Sequence, residues 1–535
     1  MRKNILILLF LLVAAQLGAQ ESVDRYVIPK KGSMTRAIKS VAPLFKEGTP
    51  ESVKKAEDTL LSIFDDMQTD GTARNYGCWG WVKGGPNRDL NMPLFSAPYL
   101  FVDIWPYQDR MSSEVKEKFL DVCKAVTTAA ERRFDEEQFP EGRAEIEYSN
   151  PFCMTVQTMT LAGLRFGDKR LQSKAKTLWH RLYNYYRFNA LGEFMSAHYD
   201  EVDFLAILDV WKYTDDETVR KQAREVLDDM YITECAGSHP VLKLPIVGVS
   251  RDYRDFLVKS DVRCAILQEV PEGYEVPARA KKLQNSRKYP LEFEGKAGVR
   301  THTFKSYQLE DAGMGSMTGW GNYFWQQLHC VAAAGKSAEE RAVLFIPGSN
   351  NPINGFTDQK GMTSLVVYNH RPSLWHIQQG KTSDVRKTQD PFGIGISDGF
   401  EEVDNTEGHL ILRAYGYDFH VFAFSVKDGG IGPYLLQKVE RHTISPSHRY
   451  HDRKREFTEY LFETGAEWAG AVVKVVKAGE KVKVPVVSYK EPDNIATFTC
   501  KSEDLQLRVG RTQIGASVTV RDKDLFRMPL RTINQ

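Results

Sequence analysis

Residues 277–287, PARAKKLQNSR, separate two parts of this 535-residue chain that have different sequence patterns. The segment begins at Pro277 and is dominated by basic and polar side chains. Polar segments without apolar periodicity are typical of connections between domains. We therefore interpret it as a linker, with a helical region before it and a region of strands after it.

Before the linker, apolar side chains recur every three or four residues, which predicts amphipathic helices. Two of these helices have clear start signals: Ser113 precedes Glu114, and Asn150 precedes Pro151 as a cap followed by proline. The predicted helices cover residues 51–67, 112–134, 151–165, 169–188, 202–213 and 215–230. Paired helices with short turns favour an array of αα-hairpins, either closed as a toroid or open as a solenoid.

After the linker, short segments alternate between apolar and polar side chains and are separated by Gly, Asn, Asp and Pro, which predicts antiparallel strands in stacked sheets. These segments are residues 300–309, 341–346, 363–368, 373–377, 410–413, 420–424, 435–442, 458–462, 471–476 and 481–487. Strands follow helices without interleaving, which argues against a βαβ enzyme. We expect an incomplete α/α toroid over residues 20–285 and a large antiparallel β-sandwich over residues 286–535.

The first 19 residues have the pattern of a secretory signal peptide. Arg2 and Lys3 precede an apolar run over residues 5–15, and Ala19 provides a small residue for cleavage. The predicted location is therefore the periplasm or the cell exterior, without a membrane anchor. The chain carries 71 Lys and Arg against 70 Asp and Glu. A balanced charge without a basic run argues against nucleic acid as a partner.

The seven cysteines are scattered and form no CxxC pair, so they carry no zinc or redox signature. At most three disulfides could form from this odd number, and we expect several cysteines to be buried free thiols. No motif of a zinc protease, a serine hydrolase, a P-loop or a dinucleotide site occurs in the sequence context that its function requires. The sequence indicates no cofactor and leaves open a structural divalent cation.

Aromatic and polar loops are candidate substrate-binding positions. Trp79 and Trp81 lie in a glycine-rich segment, with Asn91 shortly after them, and indole rings either stack on sugars or pack in cores. The glycine-rich context favours a site. In the second half, His370 and Arg371 lie in a turn that either reaches into a cleft or serves only as a hairpin connection.

Polar residues at predicted helix ends are candidates for catalysis, namely Asn150, His198 and Tyr199, and for substrate binding, namely Tyr148 and Glu193. Tyr148 and Asn150 lie at one helix start, where Asn150 is either a functional amide or a plain cap. Glu193, His198 and Tyr199 lie between two helices. His198 and Tyr199 could act as proton acceptor and donor, or belong to an ordinary polar helix start.

A fourth candidate segment contains Arg251 and Tyr253 on either side of Asp252. An arginine near a tyrosine could bind a carboxylate with two hydrogen bonds and lower the pKa of the phenol. A surface pair between Arg251 and Asp252 is the alternative.

Three segments resemble known proteins. Residues 193–203, EFMSAHYDEVD, resemble an E-[FY]-x-S-x-x-Y-x-x-V-D motif of uncharacterised toroid proteins, in which the tyrosine opens a helix. Residues 247–253 are similar to an S-R-x-Y loop. Residues 300–304, through Gln326 and Gln327 to His329, resemble an entry into a large sandwich. The succession of helices and strands over most of residues 30–530 resembles bacterial polysaccharide lyases built from an incomplete α/α toroid and an antiparallel β-sandwich, such as those of the chondroitin AC, hyaluronate and heparinase II type.

This resemblance implies an elimination centred on a tyrosine. By analogy, Asn150 would neutralise the substrate carboxylate, and His198 or Tyr199 would take the proton. Tyr199 or Tyr253 would protonate the leaving oxygen, with support from Arg251.

The expected function is therefore a polysaccharide lyase that cleaves an acidic, uronic-acid-containing polysaccharide or oligosaccharide by β-elimination. Two alternatives stay open. A toroid glycoside hydrolase would use a carboxylate pair drawn from Glu147, Glu193, Asp200 and Asp203. A non-catalytic glycan-binding protein would use the same aromatic loops.

Overall fold

The computed structural model describes residues 27–86, 89–133, 146, 148–250, 255–257, 259–298, 302–318, 328–347, 355–369, 393–443, 455–463, 466–512, 515–519 and 531–534. The chain divides into two compact units. Unit 1 comprises Met1–Gly142 and Met154–Thr177, and unit 2 comprises Arg143–Cys153 and Leu178–Gln535. The predicted signal peptide lies outside the described residues, and the predicted domain boundary at residue 285 stays a prediction.

Helices dominate the described residues up to 285. They are α1 Met34–Glu47, α2 Pro50–Phe64, α3 Met92–Pro98, α4 Ser113–Arg133, α5 Ser149–Phe166, α6 Lys169–Asn189, α7 Tyr199–Tyr213, α8 Glu217–Gly237, α9 Ala265–Gln268 and α10 Ala278–Asn285. Helices α5 and α6 each contribute residues to both units.

The α1–α2 hairpin of unit 1 follows from its caps and its apolar face. The hydroxyls of Ser33 and Thr49 accept hydrogen bonds from backbone N–H groups in the first turn of each helix, at 3.3 and 3.1 Å. Gly48 ends α1 with a φ of 74°, a left-handed conformation that glycine adopts without strain. Val41 and Phe45, one turn apart, are fully buried. Local signals therefore set both helix ends, and burial of the apolar face holds the hairpin together.

The predicted linker is wrong, because most of it forms the helix α10. Ala280 and Leu283 are fully buried, and α10 packs against α8. The Arg287 guanidinium donates to the carbonyls of Cys235 and Ser238, at the end of α8. Residues 277–287 are mostly polar in composition. They are nevertheless held in place by a short apolar face and by a cation at a helix C-terminus.

Among the described residues, strands form three larger antiparallel sheets and one small hairpin. The first eleven strands are β1 Ser238–His239, β2 Leu244–Pro245, β3 Leu291–Ala297, β4 His302–Gln308, β5 Ala312–Thr318, β6 Leu328–Gly335, β7 Arg341–Pro347, β8 Gly355–Lys360, β9 Thr363–Asn369, β10 Gly393–Ile396 and β11 Glu401–Thr406. The others are β12 His409–Ala414, β13 Tyr417–Lys427, β14 Gly430–Pro433, β15 Gln437–Thr443, β16 Arg455–Leu461, β17 Trp468–Lys477, β18 Val487–Lys490, β19 Ile495–Cys500, β20 Leu505–Thr512, β21 Gly515–Thr519 and β22 Arg531–Ile533.

Within the described part of the chain, the largest sheet has nine strands in the order β15-β16-β10-β7-β6-β5-β4-β3-β22. A second sheet has the order β11-β12-β13-β17-β9-β8, with β14 paired to β13, and a third has β18-β19-β20-β21. The hairpin pairs β1 with β2.

The three larger sheets stack in layers, with the seven-stranded sheet in the middle. Along β9, Val366 and Tyr368 belong to the core shared with the nine-stranded sheet. Leu365 and Val367 belong to the core shared with the four-stranded sheet. Because alternate side chains of a strand point to opposite faces, one strand supplies both cores. The predicted succession of a helical region and a large antiparallel β-sandwich is confirmed.

The other face of the nine-stranded sheet packs against the helical part of unit 2. Phe304 on β4 stacks on Phe194, with ring centroids 4.1 Å apart. A Cβ at Gly315 on β5 would lie 2.3 Å from the Cα of Val247, so only glycine permits this close backbone approach. Strand β5 is consequently buried at every position, on both faces.

One strand prediction is wrong: residues 481–486 form no strand, and the next strand begins only at Val487. Val482, Val484 and Val486 recur at every second position, yet Val484 and Val486 are exposed. Alternation predicts a strand only when an apolar face becomes buried. The predicted strand at 373–377 lies outside the described residues.

All seven cysteines are free and buried, as expected for several of them. Burial raises the pKa of the Cys78 thiol to about 12, and the pKa of the Cys235 thiol is raised to about 12 for the same reason. These thiols are therefore protonated at neutral pH and behave as small apolar side chains. No helix in the described part of the chain has the length and apolar character needed to cross a bilayer.

Candidate functional site

The motif of residues 193–203 forms a loop and the start of α7 in unit 2. Met195 in this loop has a φ of 51°, in the left-handed region. Tyr199 is the first residue of α7, as the motif predicts, and His198 precedes it. The N–H of Asp200 donates to the carbonyl of Ser196 at 2.9 Å, which joins the loop to the helix. The motif thus places Tyr199 at a helix start.

Glu193 accepts hydrogen bonds from the polar groups at the beginning of α5. One carboxylate oxygen of Glu193 accepts hydrogen bonds from the Ser149 hydroxyl at 3.2 Å, the Asn150 backbone N–H at 3.1 Å and the Asn150 side-chain amide. A carboxylate at a helix N-terminus pairs with free N–H groups and the positive end of the helix dipole. Two of the sequence motifs are therefore joined by one buried carboxylate.

The predicted capping role of Asn150 is wrong. Helix α5 begins at Ser149, so Asn150 lies inside the first turn, and it is fully buried. Its amide donates to Glu193, which lies in another loop. In this structure Asn150 therefore holds the loop of Glu193 and exposes no surface to a glycan.

Ser250 joins the third motif to the same loop. Its hydroxyl accepts the N–H of Phe194 at 2.6 Å and donates to the carbonyl of Phe194 at 3.0 Å. The backbone N–H of Ser250 also donates to that carbonyl, at 3.1 Å. Ser250 is buried, and Arg251 follows it directly in the chain. Three hydrogen bonds thus couple the start of the S-R-x-Y segment to the motif that contains Tyr199.

Replacing Ser250 by Ala is expected to lower the free energy of unfolding by about 1–3 kcal/mol, because the buried N–H of Phe194 loses its acceptor. Urea unfolding followed by circular dichroism measures the difference. Ser286→Ala, which removes an exposed hydroxyl, is the matched control and should change stability by less than about 0.5 kcal/mol. Equal stability of the two variants would contradict the proposed coupling.

Three further carboxylates lie buried beside Glu193: Asp200, Asp203 and Glu234. Burial raises the pKa of Asp203 well above its ordinary value, and the charge of Glu193 raises it further. The nearby Ser149 hydroxyl and Cys153 thiol oppose that rise. Because a buried carboxylate loses its hydration, its neutral form is favoured. The protonated form of Asp203 is therefore favoured more than it is for an exposed aspartate.

Asp200 and Glu234 form a hydrogen-bonded pair. Burial raises the pKa of Asp200, and the charge and hydrogen bond of Glu234 raise it further. Burial also raises the pKa of Glu234, whereas the hydrogen bond from Asp200 and the charge of Arg531 lower it. Burial therefore favours a proton shared between the two carboxyl groups, which titrate as a coupled pair.

Arg531, near the end of the chain, covers this group of carboxylates. Its Nε donates to the Thr233 hydroxyl at 2.7 Å, and its guanidinium lies over the Phe194 ring, 5.4 Å from the centroid. Arg531, Glu193, Asp200 and Glu234 help to line a cavity of about 20 Å³. That volume holds about one water molecule and no sugar ring.

His198 and Tyr199 lie side by side at the start of α7. His198 is half-buried and Tyr199 is 9% exposed. Their rings meet edge to face, with centroids 4.8 Å apart and an interplanar angle of 69°. An imidazole beside a phenol can exchange a proton with it or orient it. Tyr148 is also half-buried.

The predicted sugar-binding role of Trp79 is wrong for this structure. Trp79 is fully buried in unit 1, so its indole has no free face to stack on a pyranose. Trp81 is half-buried, and its Nε1 donates to Asp89 at 2.7 Å. Asn91 is buried, and its side-chain oxygen accepts from Arg133 at 3.0 Å. Core packing and internal hydrogen bonds thus account for Trp79 and Asn91.

Several predicted residues lie outside the described part of the chain. They are Glu147, Arg251, Tyr253, His370 and Arg371. Their predicted roles stay predictions.

The sequence interpretation missed Ser149, Glu234 and Arg531. In the sequence, Ser149 is only a neighbour of Asn150. Glu234 lies within the amphipathic pattern of α8, where a glutamate ordinarily faces solvent, and Arg531 is separated from the motifs by hundreds of residues. No local sequence pattern marks Glu234 or Arg531 as part of a candidate site. Within the described ranges, no group of three or more His, Cys, Asp or Glu is placed to hold a metal ion.

A family model matches part of this chain, and solved structures match most of its length. The family model described as a domain of unknown function, DUF8769, matches residues 42–248. No curated protein matches the chain. A mutant of the heparan sulfate lyase HepC from Pedobacter heparinus is 10% identical, over 91% of this chain and 82% of its own, with a TM-score of 0.38. A chondroitin lyase that is a baculovirus envelope protein is 8% identical, over 89% of this chain and 81% of its own, with a TM-score of 0.29.

Proposed function

We propose that this protein is a polysaccharide lyase that cleaves a uronic-acid-containing glycan by β-elimination. One observation carries the proposal: three motifs that are distant in sequence converge in unit 2. Glu193 binds the start of α5 at Asn150, and Ser250 binds the same loop at Phe194. This loop leads directly into Tyr199. A convergent set of helix-end loops around a tyrosine supplies the proton chemistry that an elimination needs.

In this mechanism Tyr199 is the catalytic residue. Its phenolate takes the proton from C5 of the uronate, and the same group, once protonated, delivers a proton to the leaving glycosidic oxygen. The C4–O bond breaks as the C4–C5 double bond forms. His198, whose ring touches Tyr199, assists the proton transfer. The reaction consumes neither a water molecule nor an external oxidant.

Asn150 and Glu193 act as positioning residues, because both are buried and bind each other. They fix the loop from which His198 and Tyr199 project. Arg251 follows the anchored Ser250, and Tyr253 lies two residues further along the chain. We keep for Arg251 the proposed role of binding the substrate carboxylate, and for Tyr253 that of a second proton donor.

The buried carboxylates argue against a hydrolase built on the same cluster. A glycosidase needs two carboxyl groups about 5–9.5 Å apart, with the sugar between them. Asp200 and Glu234 instead bind each other, and the adjoining cavity of about 20 Å³ admits no sugar. Asp203 is fully buried. An elimination, which needs no carboxylate pair, is compatible with this arrangement.

A screen of acidic polysaccharides, read by ultraviolet absorbance and by reducing-end assay in parallel, tests the proposal. Elimination leaves a conjugated, unsaturated uronate, so absorbance and new reducing ends should rise together for at least one uronate polymer. Reducing ends without absorbance would show a hydrolase. Binding without either product would show a non-catalytic glycan-binding protein. Either result would overturn the lyase proposal.

We also propose that the protein is exported to the periplasm or the cell exterior. Arg2, Lys3 and the apolar run at 5–15 support this location. Amino-terminal sequencing of the protein recovered from the host's periplasm or medium should begin at Gln20. Recovery only from the cytoplasm, with the first residues intact, would contradict export.

A further inference from the structure

The nine-stranded sheet extends beyond the sheet stacked on it and leaves a pocket at the edge of the sandwich. The end strand of the covering sheet, β8, packs over β5. Strands β4, β3 and β22 continue past β5 and form the floor of the pocket, and residues 359–361, where β8 turns into β9, form a wall. We call this cavity, of about 320 Å³, the edge pocket.

Strand register determines which side chains face the edge pocket. Glu292 pairs with Tyr307, and Glu294 pairs with Lys305. In β3 these glutamates are exposed, whereas their neighbours Leu291 and Phe293 are buried. Because alternate positions of a strand share a face, both carboxylates project on the same side as the Tyr307 ring.

The basic side chains of the edge pocket already have acidic partners. Lys305 donates to Asp358 at 2.8 Å and to the carbonyl of Gln359 at 3.0 Å. Lys360 donates to Asp504 at 2.6 Å. The carboxylates of Glu292 and Glu294, in contrast, form no ion pair or hydrogen bond with any residue that the structure describes. The pocket therefore carries two uncompensated negative charges.

We propose that the edge pocket binds a sugar residue that carries a protonated amino group, that is, a hexosamine with a free ammonium. Two carboxylates attract the ammonium and accept hydrogen bonds from hydroxyls, and the Tyr307 ring offers a flat apolar face to the C–H side of a pyranose. The volume lies at the lower end of the range of small-ligand sites, about 300–1,000 Å³. Uronates and sulfated sugars are repelled by the same charges.

This binding site does not rest on the proposed elimination, because it uses other residues and is tested by affinity alone. Calorimetric titration of the full chain with a tetramer of glucosamine should give saturable binding. The N-acetylated tetramer, which lacks the charge, should bind about tenfold more weakly or worse.

Variants locate the interaction. The double variant Glu292→Gln and Glu294→Gln should weaken binding of the glucosamine tetramer by about tenfold or more. The matched double variant Glu401→Gln and Glu407→Gln removes the same charge from exposed positions elsewhere and should leave the affinity unchanged. Thermal unfolding of each variant shows that the fold is intact.

Three outcomes would overturn the inference. One is the absence of binding by the glucosamine tetramer at millimolar concentration. Another is equal affinity of the two double variants. The third is binding of tetralysine as tight as that of the glucosamine tetramer, which would show a general cation site with no preference for sugars.

Discussion

Replacing Tyr199 by Phe is expected to lower kcat of the elimination by about 10²- to 10⁴-fold and to leave KM nearly unchanged. The substitution removes only the phenol oxygen from the first residue of α7, so the ring packing against His198 is kept. In the proposed mechanism the phenol takes part in proton transfer and not in substrate binding. Initial rates of ultraviolet absorbance on the best uronate polymer measure the effect.

Tyr213→Phe is the matched control, because it removes a phenol oxygen from the other end of the same helix. It should retain nearly full activity. A Tyr199→Phe variant that turns over like the Tyr213→Phe variant would remove Tyr199 from the mechanism. Loss of activity with an equal loss of thermal stability would show a structural role instead.

Replacing Asp203 by Asn is expected to remove part of the pH dependence of stability. Burial and the charge of Glu193 raise the pKa of Asp203 in the folded protein, whereas the unfolded chain titrates near about 4. Between these two values the folded state holds a proton that the unfolded state releases. The stability that Asp203 contributes is therefore fully present below about pH 4 and is lost as the pH rises through the folded pKa.

Each proton held only by the folded state makes the free energy of unfolding fall by about 1.4 kcal/mol per pH unit. The uncharged amide that Asp203→Asn introduces has nearly the same size as the carboxyl group and has no proton to lose. The variant should therefore gain stability relative to the wild type as the pH is raised from about 5 towards 8. The gain should be at most about 1.4 kcal/mol per pH unit. Urea unfolding across this range measures it.

Asp398→Asn, at an exposed position, is the control for this series and should follow the wild-type curve. If the Asp203→Asn curve runs parallel to the wild type at all pH values, Asp203 is ionised in the folded protein. The buried proton would then be absent.

The architecture could be predicted wherever one face of an element is buried and the other meets solvent. The helical period of an apolar face predicts a helix at 112–134, and α4 lies at Ser113–Arg133. Strand β12, at His409–Ala414, alternates between half-buried and buried positions, and the same alternation in the sequence predicts it. Strands β5 and β6, buried at every position, show no alternation and escape prediction.

The candidate site, like the architecture, could be predicted from the sequence only in part. The motif itself identifies Glu193, His198 and Tyr199, and it predicts that Tyr199 begins a helix. It does not show that Glu193 binds the start of α5, and the order of Asn150 and Pro151 gives the wrong expectation that Asn150 is a cap. Trp79 has the sequence context of a sugar-binding residue and lies in the core.

Sequence alone therefore determined the order of helices and strands and the identity of the motif residues, because amphipathic periods and helix start signals are local. Only the tertiary structure decided that Glu193 meets Asn150, that Ser250 holds Phe194 and that Arg531 covers the buried carboxylates. Those contacts join residues far apart in the chain, and the burial that shifts their pKa values arises only when several elements pack around them.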